Sequence, residues 1–223
     1  MRDPIKILYE DRELIVCVKQ AGLLSEAGAK NSLPDILASQ LSEQGGSTQL
    51  FAVHRLDREA GGVMVYAKTA ACAAHLSRQM TEGGFGKRYM AVLCGVPAAR
   101  EDTLEDLLYH DRQKNKTYVV KRQRRGVKSA RLSYSVLDER AGHCLVDVKL
   151  YTGRTHQIRV QFASRLLPLL GDAKYGGDKR TAMALWSYKL SFVHPSGDNM
   201  SFVDMPCCEP AFEDFWDKIQ NFE

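Results

Sequence analysis

The chain has 223 residues, 44% of them hydrophobic and 26% charged, with 31 Lys and Arg against 27 Asp and Glu for a net charge of +4. That length suffices for a substantial core in one large domain or two small ones, and the composition is ordinary for a soluble globular protein. No run of about eighteen apolar residues exists, which excludes a helical membrane span, and so mild a positive charge does not by itself demand a nucleic-acid partner.

Ile5, Ile7 and Ile15, Cys17 alternate about a polar turn at Glu10-Asp11-Arg12. This predicts strands over 5–9 and 13–19 joined as a β-hairpin, and no secretory leader is expected there. Ser32 with Pro34 opens a helix over 33–43, followed by a polar loop at Ser42 to Ser47. Phe51, Ala52 and Val53 read as a short buried strand entering His54-Arg55-Leu56-Asp57. A strand over 62–68 leaves that loop, with Gly61 and Gly62 allowing a tight turn. An acid held between two core strands is rigidly presented, although a lone Asp there would be read as a turn cap.

Thr69 opens a helix over 70–81, and a strand over 89–94 begins with Tyr89 in Lys87-Arg88-Tyr89. Alone, that tyrosine is core packing with a satisfied hydroxyl or a platform for a base. Strands over 117–121 and 130–137 flank the basic run Lys121-Arg122-Gln123-Arg124-Arg125-Gly126-Val127-Lys128, with Arg131 just beyond. The run reads as a solvated hairpin tip and also suits a phosphate backbone. After a strand over 143–150, Thr155 is placed to cap a helix with Ile158, Phe162 and Leu166 on one face. His156, Gln157 and Arg159 then fall in its first turn. Arg159 is either a solvated charge or the partner of a buried acid, its fork suiting a carboxylate or phosphate. Gly171 to Gly177 is turn chemistry around Tyr175, and strands over 184–193 and 201–204 precede an amphipathic helix over 209–220.

Strands dominate, many are hairpin-linked and the helices are scattered. The expected fold is therefore α+β, a mixed and mostly antiparallel curved β-sheet flanked by helices. The six cysteines are spread out with no CxxC pattern, which reads as a reducing cytoplasm and no structural zinc. No dinucleotide-binding glycine pattern or P-loop occurs, so no nucleotide cofactor is expected.

Four motifs in order, HRLD at 54–57, KRY at 87–89, GRTHQIR at 153–159 and GDAKYGG at 171–177, resemble those of the RluA-type pseudouridine synthases, which isomerise uridine in ribosomal or transfer RNA. The opening hairpin is also similar to that family's, and the likeness spans most of the chain. It implies a pseudouridine synthase catalytic fold, as one catalytic domain over 1–223 with no separate N-terminal RNA-binding domain. It further implies Asp57 as the catalytic residue, Tyr89 lying against the base, and Arg159 as the cation that lets a carboxylate stay ionised where water is excluded. Arg55, His156 and Gln157 are the expected substrate-binding residues, with Arg55 either filling the vacated stack or holding a structural salt bridge. The carboxylate acts on the ribose either as a nucleophile or as a base, on a uridine extruded from a loop or bulge. The partner is RNA, with no DNA and no membrane; no cofactor or metal is implied, and a cytoplasmic monomer is expected.

Two departures from the family pattern stand out. Ala60 and Gly61 stand where threonine and serine are usual, and Gln20 stands where proline is usual. The missing hydroxyls would support the loop, which leaves a catalytically silent RNA-binding module as the alternative. A hydrolase acting on a glycosidic bond would commonly need two flanking carboxylates, and only one acid stands in a motif context.

Overall fold

The computed structural model describes residues 4–28, 32–43, 49–178 and 181–222. In chain order its elements are β1 (Ile7–Glu10), β2 (Leu14–Lys19), α1 (Leu33–Glu43), β3 (Phe51–Ala52), β4 (Gly61–Ala67), α2 (Ala70–Glu82), β5 (Gly86–Cys94) and β6 (Glu101–Asp111). They continue with β7 (Lys116–Val120), β8 (Val127–Arg140), β9 (His143–Leu150), α3 (Gln157–Ala163), β10 (Leu185–Val193), β11 (Asn199–Val203), a 3-10 turn (Pro210–Phe215) and α4 (Trp216–Gln220). The fold is α+β on a mixed sheet, as the strand pattern predicts.

Contacts divide the chain into two compact units. The first runs to Lys87 and takes in Ser187–Asp204; the second comprises Arg88–Trp186 and the residues from Met205 onward. In the first unit the strand order is β1-β2-β4-β10, with β11 on β10 and β3 on β4. All six residues of β2 and all seven of β4 are buried. Strands covered on both faces need no polar alternation, which is why these runs are almost wholly apolar, Lys19 at the end of β2 being charged. Leu14 and Val16 face a core shared with Val63, Val65, Cys72, Leu76 and Phe192. Helix α2 begins as predicted: the Thr69 side chain accepts from the Cys72 backbone N–H at 3.1 Å and so satisfies one of the orphan donors of a helix start.

In the second unit the order is β5-β9-β8-β6-β7. Strand β6 was not expected: Glu101, Asp102, Thr103 and Glu105 disguise it, because its start has Leu104 buried between exposed neighbours. Its presence changes the reading of the basic run. Strands β7 and β8 pair with opposite edges of β6, so residues 121–126 form a crossover past β6 and not a hairpin tip. A small core of Leu108, Ala130 and Val160 lies beneath, with Tyr175 against it.

The helix expected after Thr155 is shorter and starts one residue later. His156 occupies the cap position in left-handed conformation, φ 54°, without a side-chain cap bond. Ile158 and Phe162 are buried as predicted, but Leu166 lies past the helix end, 88% exposed. There the Leu166 N–H donates to the Ala163 carbonyl and the Leu167 N–H to the Phe162 carbonyl, the paired bonds of a Schellman stop. Leu166 fills its left-handed position at φ 63°, where glycine is usual. The final segment is likewise split, a 3-10 turn leading into α4. Most of the polar loop expected at Ser42 to Ser47 lies outside the described residues; Ser42 itself is in α1.

Candidate active site

In the first unit the HRLD loop is gripped from beneath at every residue but its arginine. The Val65 backbone N–H donates to His54 Nε2 at 3.2 Å, so the loop entrance is tied to β4. The His54 ring lies tilted against Phe85 with centroids 5.6 Å apart, and burial, with Lys87 adding, drives its pKa down to about 3. This histidine is a neutral structural brace. The buried Ser25 hydroxyl donates to the Leu56 carbonyl at 2.9 Å and accepts from the Leu56 N–H at 3.1 Å. Tyr66, fully buried on β4, donates to the Ser25 carbonyl at 2.9 Å and so holds that clamp in turn. The Ala60 N–H closes the turn onto the Asp57 carbonyl at 3.1 Å.

Lys19 completes the support. It is 0% exposed at the end of β2, and its Nζ donates to the carbonyls of Gln20, Leu23 and Arg58 at 3.2, 2.8 and 3.1 Å. An ammonium has three donors, and here each has a carbonyl. Burial lowers its pKa to about 8, while the charges of Asp57 and Glu59 act to raise it. Lys19 is thus a buried cation whose field reaches the catalytic candidate, and the apolar run LIVCV before it concealed that role.

Ala60 and Gly61 bring no side-chain hydroxyl to the turn. Ala60 is 1% exposed, and the side-chain bonds onto Leu56 and Arg58 come from Ser25 and Lys19. Gly62 is obligatory: at φ +116° a Cβ there would sit 2.3 Å from the Ser187 carbonyl oxygen. Asp57 itself is partly exposed on this locked turn. Arg55 points outward, with an exposed ion pair to Glu26 at 3.2 Å.

In the second unit Tyr89 lies buried in β5, and its neighbour Arg88 is ion-paired with the buried Asp147 of β9. Arg159 is 3% exposed and does pair with a buried acid. Its Nε and Nη2 donate to the two oxygens of Asp172 at 2.7 and 2.8 Å, the bidentate geometry a guanidinium favours. Asp172 also accepts from the backbone N–H of Lys174 and Tyr175. Its loop makes a close turn at Gly171, φ +76°, where a Cβ would lie 2.0 Å from the Ala182 carbonyl oxygen.

The Tyr175 ring stacks under the Arg159 guanidinium at 5.2 Å, a cation–π contact. Its hydroxyl accepts from the Thr117 N–H at 2.7 Å and shares a hydrogen bond with His156 Nδ1 at 2.9 Å. Gln157, expected to touch substrate, is buried. Its amide accepts from Thr152 Oγ1 and the Arg154 N–H and donates to the Arg131 carbonyl. It shapes the turn before α3. His156, Gln157 and Arg159 therefore share one braced turn, while Arg55 and Asp57 share the other loop. Asp172, which holds Arg159 in place, lies in the GDAKYGG motif, whose turn residues alone do not reveal an ion-pair partner. Among the described residues no group of three or more His, Cys, Asp or Glu could hold a metal ion, and no helix is long and apolar enough to cross a membrane.

This architecture is that of a pseudouridylate synthase domain. It matches human RNA pseudouridylate synthase domain-containing protein 4 with a TM-score of 0.76 over 96% of this chain and 93% of that chain, at 23% identity. The human domain-containing protein 1 matches with the same TM-score, 0.76, over 98% and 95%, at 20% identity; these likenesses are of fold. The family model described as RNA pseudouridylate synthase matches residues 13–164. Ribosomal large subunit pseudouridine synthase D of Zymomonas mobilis subsp. mobilis is 32% identical, over 91% of this chain and 70% of that protein. The RNA pseudouridine synthase YhcT of Bacillus subtilis is 31% identical, over 91% and 68%. The synthase D of Neisseria meningitidis serogroup A is 34% identical over 89% of this chain, which spans 57% of that protein. The chain belongs to the RNA pseudouridylate synthase family, of the RluA type, whose members are isomerases.

Proposed function

We propose that this chain converts specific uridines to pseudouridine in ribosomal or transfer RNA, in the cytoplasm and as a monomer, with Asp57 as its catalytic carboxylate. The reading includes the expectation that the chain works as one catalytic domain. The observation that carries it is the locked HRLD turn, in which buried groups fix the backbone on either side of Asp57 while its carboxylate stays partly exposed. Family membership and the ordered motifs support the same assignment.

In the reaction the N1–C1′ bond breaks, uracil turns, and C5 bonds to C1′. The C5 proton leaves and N1 takes one up, so substrate and product are isomers and no redox equivalents are consumed. Asp57 acts on the ribose, either as nucleophile at C1′ or as base toward the C2′ proton. Tyr89 lies against the base and assists proton movement. Arg159 contributes positive charge, held in orientation by Asp172 and Tyr175. Arg55 is exposed, as a residue that fills a vacated stack or holds a phosphate must be. His156 is the remaining substrate contact, and Gln157 acts by shaping its turn. The target nucleotide is extruded from a loop or bulge, at a cost of a few kcal/mol.

The test is to incubate the purified chain with total RNA from cells lacking the gene and to quantify pseudouridine in digested RNA. New pseudouridine is expected with the natural chain, and Asp57→Asn is expected to abolish it while RNA binding persists. Undiminished product from the Asp57→Asn chain sinks the assignment.

A further inference from the structure

The arginines of the second unit fall into two groups. Arg88, Arg100, Arg131, Arg140, Arg159 and Arg165 are each ion-paired with a carboxylate. Arg112, Arg122, Arg124, Arg125 and Arg154 have no carboxylate partner among the described residues; Arg124 lies over the Tyr109 ring, and Arg112, Arg125 and Arg154 line one cleft of about 830 Å³. Lys128 lines it too and is likewise unpaired. The only carboxylate in the lining is Asp111, and its Oδ1 is turned back to accept from the Gln113 and Lys114 N–H groups of its own turn. Four cations left uncompensated around one concavity present it to an anion.

The walls of the cleft explain how the cations converge. Arg112 stands at the β6–β7 turn, Arg125 on the crossover past β6, and Lys128 at the start of β8. Arg154 belongs to the GRTHQIR motif, its Nε anchored on the Ser129 carbonyl at 2.9 Å. Arg112, Arg125 and Lys128 are exposed, so their charged heads reach a ligand without desolvating the protein. At the floor, His110 shares a hydrogen bond with Thr117 Oγ1 at 3.1 Å, and the Thr117 N–H donates to the Tyr175 hydroxyl. The cleft floor is thus one hydrogen bond from the ring that stacks on Arg159.

We propose that this cleft holds the phosphate backbone of the RNA strand that carries the target uridine, with Arg112, Arg125, Lys128 and Arg154 as its phosphate contacts. The inference rests on the proposed function for the choice of RNA, and on the unpaired cations for the place. Sequence-independent grip of this kind comes from phosphate contacts, and each releases counterions.

The test measures binding of a single-stranded uridine dodecamer to the full chain across a range of potassium chloride. The variant is the triple Arg112→Gln, Arg125→Gln, Lys128→Gln. For single strands each contact contributes about 0.7 to the log–log salt slope, so losing three lowers it by about 2. A control triple at exposed cations outside the cleft, Arg12→Gln, Arg78→Gln, Lys218→Gln, is expected to leave the slope unchanged. An equal thermal midpoint for the cleft triple and the natural chain shows that folding is intact. An unchanged slope in the cleft triple, or an equal loss in the control triple, overturns the proposal, as does polyglutamate displacing the dodecamer at equal charge concentration. Pseudouridine formation by the natural chain is scored separately. A lowered slope without any product supports the cleft and refutes the proposed function, and product with an unchanged slope does the reverse.

Discussion

Replacing Lys19 with methionine separates a buried charge from the fold it supports. The ammonium is 0% exposed and bonded to three carbonyls, and burial brings its pKa to about 8 from an ordinary 10.5. Because the folded value lies below the unfolded one, the unfolded chain binds more protons between those limits, and stability rises with pH across that window. A gap of this size is worth about 3 kcal/mol. Below about pH 8 the natural chain carries the full penalty of the buried charge, and above about 10.5 none of it. Urea denaturation of the natural chain and of Lys19→Met, run from neutral to strongly alkaline pH, isolates this residue. Subtracting the two curves removes every other titrating group. The difference is expected to shift in favour of the natural chain by about 3 kcal/mol on crossing the window. At neutral pH, Lys19→Met also leaves three carbonyls without a donor, at about 1–3 kcal/mol for each that stays buried, and so loosens the turn bearing Asp57. A pH-independent difference between the two chains refutes the reasoning, because it means Lys19 is not buried as a charge.

Asp172→Asn leaves the Arg159 guanidinium buried with a neutral partner, and is expected to destabilise by about 3–5 kcal/mol in urea titration. Adding Arg159→Met is expected to recover much of that loss, since it removes the buried charge that Asp172→Asn leaves unpaired; additive losses would show that the two residues are not coupled. Leu166→Gly removes a side chain that is 88% exposed from a left-handed position at φ 63°. It should stabilise the chain by up to about 1 kcal/mol, read as a higher thermal midpoint, because the left-handed strain of about 1–2 kcal/mol exceeds the entropy glycine adds to the unfolded state.

Local chemistry was read well where the signal was local. Thr69 caps α2, the hairpin of β1 and β2 turns at Asp11, and α1 spans Leu33–Glu43 as expected. These features depend on residues a few positions apart. Reading failed where a residue's role depends on a distant partner. The start of β6 has a mostly charged sequence and becomes a strand because β7 and β8 flank it. The basic run changed from hairpin tip to crossover for the same reason.

The sequence by itself determined the elements of the candidate site: an aspartate on a loop between two strands, a tyrosine within a strand, and an arginine in the first turn of a helix. It also determined the family, because four ordered motifs survive in a single chain. Tertiary structure decided which groups hold those residues. Lys19 and Ser25 hold the HRLD turn from 39 and 31 positions before their partners Arg58 and Leu56. Asp172 orients Arg159 from 13 residues away. A hydrogen bond is set by distance in space, and sequence separation carries no trace of it until the strands have paired.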